Sequence, residues 1–192
     1  MNKLISIFIP LILLIFVILF GVNTLKQTNF KKTETIDSLS LKVIKADSLE
    51  NHVFDHLPFG MPLDTIDISS NFGKRRNPKH GRWEFHPGLD LKGLPFDTVY
   101  ATGSGIISVS GNCGGYGRCV VIDHIDGIKS RYAHMTKIFK RKNKMIEKGE
   151  PIGTVGKTGY ATGYHLHYEI VKNEQYLDPL KWIKVENDLN IE

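Results

Sequence analysis

GEPIGTVGKTGYATGYHLHYEI, residues 149–170, joins a short apolar run to a strand-like run through a glycine-rich stretch. The same grammar extends outward in DTVYA (97–101), GIISVS (105–110), CVVIDHI (119–125) and IKSRYAHM (128–135). These runs are short, rich in β-branched residues and bounded by glycine or turn residues, as antiparallel strands are. No long helical period interrupts them, so the region from Leu57 to Trp182 reads as all-β. A chain of 192 residues with 41% hydrophobic residues can bury one core of this kind but leaves little room for a second.

Within the strand-like HLHYEI, His165 and His167 are two apart and project from the same sheet face. Upstream, His86 and Asp90 are four apart in FHPGLDLKG (85–93). Pro87 and Gly88 argue against a helix interior there, and in an extended segment residues i and i+4 also share a face. Zinc takes imidazole nitrogen and carboxylate oxygen at about 2.0–2.2 Å, and a catalytic site typically uses three protein ligands with a fourth position for water. Two histidines and one aspartate meet that description, and the absence of cysteine ligands makes such a site hydrolytic more than structural. If only one of His165 and His167 binds metal, the other is free to act on the water or on a developing oxyanion. The H-E-x-x-H helix of the commonest zinc proteases is absent. Glu169, two after His167, shares its face and reads either as a rival base or as a group that orients an imidazole.

Five segments then set the context, in order: SSNFGKRRNP from Ser69, FHPGLDLKG from Phe85, TVYATGSGIISVSGNCGGYGRCVVIDHIDG from Thr98, SRYAHM from Ser130, and the stretch from Gly149 already quoted. Over residues 57–182 the chain resembles the lysostaphin-type zinc endopeptidases, bacterial peptidoglycan hydrolases that include the LytM-like autolysins. The resemblance implies an antiparallel sheet domain with a groove and one zinc ion per chain, held by His86, Asp90 and His167. It further implies that His134 and His165 are catalytic without being ligands. They would orient the water, move its proton and stabilise the tetrahedral intermediate. The alternative class is a catalytically silent wall-binding domain that activates or localises another hydrolase.

Residues 4–22 carry no charge and are long enough for a bilayer helix, which needs roughly 17–25 residues against about 7–15 for the apolar part of a cleavable signal. No Ala-x-Ala-like site follows. We therefore expect a signal anchor over 1–23, a stalk over 24–56 that reads as a short imperfect amphipathic helix, a zinc peptidase domain over 57–183, and a polar tail over 184–192. The expected setting is a bacterial cytoplasmic membrane crossed once, with the catalytic domain on the outside and peptidoglycan peptide as substrate. The net charge of +5 suits anionic surroundings, but the basic residues are dispersed and no helix-turn-helix, zinc-finger or RRM signature occurs, which argues against nucleic acid.

Several residues read as structural. His124 fits a hydrogen-bonded strand histidine, His52, His56 and His80 fit solvent-facing positions, and Arg75 fits an ion-pair partner. The basic run over 137–148 reads as a solvated loop or hairpin. Cys113 and Cys119, in GNCGGYGRC, read as a disulfide-closed loop or as two free thiols.

Overall fold

The chain divides into two units, 1–48 and 49–192. The computed structural model describes residues 48–49 and 51–183. The apolar stretch 4–22, most of the stalk and the tail 184–192 lie outside the described residues. Among the described residues no helix is long and apolar enough to cross a membrane.

In chain order, β1 (Ile68–Ser70) leads to the hairpin of β2 (Gly73–Arg76) and β3 (Trp83–His86), then to β4 (Leu89–Lys92) and β5 (Thr98–Tyr100). A meander of β6 (Gly105–Asn112), β7 (Arg118–Asp123) and β8 (Ile128–Met135) follows. The short strands β9 (Lys137–Ile138), β10 (Met145–Ile146) and β11 (Pro151–Thr154) precede β12 (His165–Lys172) and β13 (Gln175–Leu177). One antiparallel sheet runs β1-β4-β12-β8-β7-β6-β10, with β13 beside β12; β5-β11-β9 form a second sheet and β2-β3 a third. The expected all-β domain is what the residues build.

The alternation in β12 explains how this sheet is faced. Leu166, Tyr168 and Ile170 are wholly buried and enter the main apolar cluster with Leu89, Leu91, Ile107, Ile122 and Tyr132. The small sheet covers that face, since Val99 and Ile152 belong to the same cluster. His165, His167 and Glu169 therefore lie on the opposite face, as the period of two requires. The last residues read as stalk are docked on the domain: residues 51–55 are helical, and Asp55 O accepts the Ser104 N–H at 2.6 Å.

Two tyrosines sit in the apolar layer, and their hydroxyls meet at one threonine, with Ser130 Oγ also donating to Tyr132 Oη at 3.1 Å. Thr102 N–H donates to Tyr132 Oη at 2.8 Å, and Thr102 Oγ1 lies 2.8 Å from both Tyr132 Oη and Tyr168 Oη. All three residues are 0% exposed, so no solvent can replace a lost partner. His124, just past β7, is held by Ser104 O at 2.9 Å and Ser130 Oγ at 2.8 Å, in keeping with a structural role. The basic run over 137–148 is mostly exposed and spans the connection from β9 to β10.

Thr102→Val should lower unfolding stability by about 1–3 kcal/mol in chemical denaturation, the cost of a buried hydroxyl left without its partner. Adding Tyr168→Phe should recover part of that loss, because it removes the stranded hydroxyl.

Candidate metal centre

His86 ends β3 and Asp90 lies in β4, so the two belong to different sheets, whereas the sequence reading placed them on one face of one extended segment. The step through Pro87 and Gly88 separates the sheets and turns both side chains inward. A Cβ at Gly88 would stand 2.5 Å from Tyr168 O, 2.9 Å from Glu169 Cγ and 2.9 Å from His167 Cε1. Only a residue without a side chain lets this segment lie against β12. There the register sets Asp90 directly opposite His167.

Three donor atoms converge as a result. Asp90 Oδ1 lies 2.7 Å from His167 Nδ1 and 3.1 Å from His86 Nε2, and the two nitrogens are 3.1 Å apart. Donors bound to one tetrahedral zinc at about 2.0–2.1 Å stand roughly 3.3 Å from each other. The cluster is close to that spacing, and it is formed by the described residues that group as potential metal ligands. All three are buried, at 2% for His86, 7% for Asp90 and 5% for His167.

The outward atoms are already committed. His86 Nδ1–H donates to Asn71 O at 2.8 Å, His167 Nε2–H donates to Glu169 Oε1 at 2.9 Å, and Arg75 Nη1 donates to Asp90 Oδ2 at 2.8 Å. These bonds direct the lone pairs of His86 Nε2 and His167 Nδ1, with a carboxylate oxygen, at one point. Such a convergence needs a positive charge at its centre. Burial pulls His167 down, yet the Asp90 and Glu169 carboxylates raise it above the ordinary imidazole value. Burial likewise works to raise Asp90, but hydrogen bonds from His167 and His86 hold it well below the usual carboxylate range. A divalent cation fits that place, and binding it requires both facing imidazole nitrogens to be unprotonated.

His134 and His165 flank the cluster without entering it. His165 Nδ1–H donates to Gly163 O at 3.0 Å, and its Nε2 stands 3.7 Å from Asp90 Oδ1. His134 reaches the site by breaking the alternation of β8. Its parity is that of Ser130 and Tyr132, both wholly buried on the core side. A bulge opposite Cys119 inserts one extra residue, and His134 takes φ +62°, the left-handed region. Its ring then lies 4.8 Å from the His165 ring, centroid to centroid, and Nδ1–H donates to Thr158 O at 2.8 Å. Burial, followed by the neighbouring His165, pushes His134 down to about 4. Burial also lowers His165. Both imidazoles are thus neutral near pH 7, each with its Nδ1 proton on a backbone carbonyl and Nε2 free to accept.

All five expected residues come together at the floor of an open groove of about 770 Å³, walled by the β2–β3 hairpin and by the loop that carries Tyr160 and Thr162. Glu169 is wholly buried, and its oxygens are taken by His167, Tyr116 and Arg131, so it is an orienting group and not a base facing the groove. Arg75 is an ion-pair partner of Asp90 itself, at 2.8 Å, and more distantly of Glu84, at 3.9 Å. Sequence reasoning did not foresee the roles of Asn71 and Tyr116. Asn71 acts through a backbone carbonyl, which leaves no trace in residue type, and Tyr116 acts across 53 positions of sequence.

Residues 84–179 match the family model of peptidase family M23. Over 119 residues the chain is 40% identical to the DD-carboxypeptidase/endopeptidase Mpg of Neisseria meningitidis, covering 62% of this chain and 27% of that protein. The chain thus spans about a quarter of the length of such curated relatives. Among solved structures, a zinc-containing peptidase from Vibrio cholerae superposes with a TM-score of 0.59 at 33% identity, covering 66% of this chain and 39% of that one. The catalytic domain of lysostaphin from Staphylococcus simulans gives 0.57 at 26% identity, with 62% and 92% covered.

Gly88→Ala should push β4 off β12 and spread the three donors. We expect metal content after gel filtration to fall toward that of His86→Ala, while the circular dichroism of the strands is retained.

Proposed function

The chain belongs to peptidase family M23, and from that premise we propose that it is a zinc-dependent endopeptidase that hydrolyses peptide bonds in bacterial peptidoglycan. The observation that carries the proposal is the convergence of His86 Nε2, Asp90 Oδ1 and His167 Nδ1 beside two histidines that bond to backbone carbonyls instead. His86, Asp90 and His167 would hold one zinc ion; His134 and His165 would be the catalytic groups. Bound zinc supplies Lewis acidity, making water a nucleophile near neutral pH and polarising a carbonyl.

The remaining steps belong to the side chains. His134 and His165, neutral and with Nε2 open, orient the attacking water and take its proton as oxygen bonds to the peptide carbon. The imidazolium so formed stabilises the tetrahedral oxyanion and then delivers the proton to the leaving nitrogen as the C–N bond breaks. Thr158 O and Gly163 O fix both tautomers, because each accepts an Nδ1 proton. The groove is open to solvent and would take an extended peptide across the site.

Residues 4–22 would anchor the chain in the cytoplasmic membrane with the domain outside, where peptidoglycan lies. The disulfide between Cys113 and Cys119 suits an oxidising compartment. A substrate with D,D linkages is favoured by relatives named for DD-endopeptidase activity, among them ShyA of Vibrio cholerae at 38% identity.

His165→Ala should retain about one zinc per chain and lose roughly a hundredfold to ten-thousandfold in turnover, whereas His86→Ala should lose both. Metal analysis and mass spectrometry of digested muropeptides read the two quantities. A wild-type chain that holds zinc and releases no muropeptide would instead support the silent, activating role.

A further inference from the structure

Cys113 and Cys119 are disulfide-bonded, with Cα atoms 5.9 Å apart, and they close a loop that contains the 3-10 turn Gly114–Tyr116. Cys119, Val121 and Ala133 form a small buried cluster separate from the main core, and Cys113 and Tyr116 pack against it. From this seat the Tyr116 ring lies 5.6 Å from the His167 ring and 4.5 Å from the Arg131 guanidinium. Its hydroxyl donates to Glu169 Oε1 at 2.7 Å, the oxygen that also accepts from His167 Nε2. Burial, and then the adjacent Glu169 carboxylate, keep the phenol protonated far above neutral pH, so it remains a donor. Arg131 Nη1 holds the other oxygen at 2.6 Å.

The same loop supports His134. Gly115 O accepts the Tyr160 N–H at 2.8 Å, and Arg118 N–H donates to Thr158 Oγ1 at 2.9 Å. A Cβ at Gly117 would stand 2.4 Å from Thr158 C and 2.6 Å from Gly159 N, so the two loops touch backbone to backbone. Thr158 is the residue whose carbonyl fixes the His134 ring.

We propose that the disulfide-closed loop Cys113–Cys119 is a positioning element of the metal centre, which carries the Tyr116 hydroxyl to Glu169 and thereby holds His167 with Nδ1 aimed at the metal. The inference rests on the reading that His86, Asp90 and His167 bind zinc. Without the tyrosine hydroxyl, Glu169 Oε1 loses one of its two donors and the carboxylate can turn away from His167. Hydrogen bonds one step beyond metal ligands typically change metal affinity about 10–100-fold.

The test is zinc affinity of the full chain, by competition with a chelator, in wild type, Tyr116→Phe, the double variant Cys113→Ser/Cys119→Ser, and the three changes together. Tyr116→Phe keeps the ring and its packing, so a disulfide that only stabilises the fold would leave its affinity unmoved. We expect about a tenfold loss in Tyr116→Phe, a loss at least as large in the cysteine variant, and no further loss in the combination, since both act through Glu169. Wild-type affinity in Tyr116→Phe would overturn the inference, as would losses that multiply in the combination. Tyr116→Phe decides alone if the cysteine variant fails to fold. A wild-type chain that takes up no zinc would remove the reading of the site itself, whereas zinc held equally by all four proteins would remove only this inference.

Discussion

The register between β4 and β12 is the constraint on which the rest of the site depends. It sets Asp90 opposite His167 and, on the other face, lets Leu89, Leu91, Leu166 and Tyr168 enter the core. A slip of one residue would move every side chain to the wrong face, exposing those apolar groups and burying the histidines among hydrocarbon. The apolar layer therefore enforces the placement of the polar cluster behind it. Gly88 is the steric condition for that pairing, because any Cβ there meets β12 backbone.

Given the register, electrostatics selects what the site can hold. Three potential ligand atoms meet in a buried space, each side chain backed by a partner on its far side: Asn71 O, Glu169 Oε1 and Arg75 Nη1. Burying charge is costly unless it is paired and hydrogen-bonded, and here the outer partners are themselves anchored. Glu169 is the clearest case. It is wholly enclosed yet ionically paired with Arg131, and it serves the histidine two residues before it. His134 and His165 are built differently from His167, with their Nδ1 atoms on backbone carbonyls and no carboxylate behind them. Carboxylate support sets His167 apart from His134 and His165, whereas His86, like those two, donates its Nδ1 proton to a backbone carbonyl and differs from them in having Nε2 beside Asp90 and His167.

His134 illustrates the local cost of the geometry of the site. A non-glycine residue at φ +62° in a strand is disfavoured by roughly 1–2 kcal/mol. The surroundings hold it there through the bulge opposite Cys119, the bond to Thr158 O and the ring contact with His165. The left-handed turn is what brings a residue of core parity round to the groove.

From the sequence alone came the all-β class, the shared face of His165 and His167, and the candidate ligands His86 and Asp90, because period-two alternation and ligand chemistry are local properties of residue order. Which of the paired histidines would bind metal was legible only through resemblance to a family. Local pattern treats His165 and His167 alike, and the partners that distinguish them, Gly163 O and Glu169, are recognised by where they lie in space. The turn of His134 into the groove, the use of Asn71 through its carbonyl, and the reach of Tyr116 to Glu169 were decided by tertiary structure. Each depends on a bulge, a backbone atom or a contact between distant strands, and none of these alters residue type or spacing along the chain.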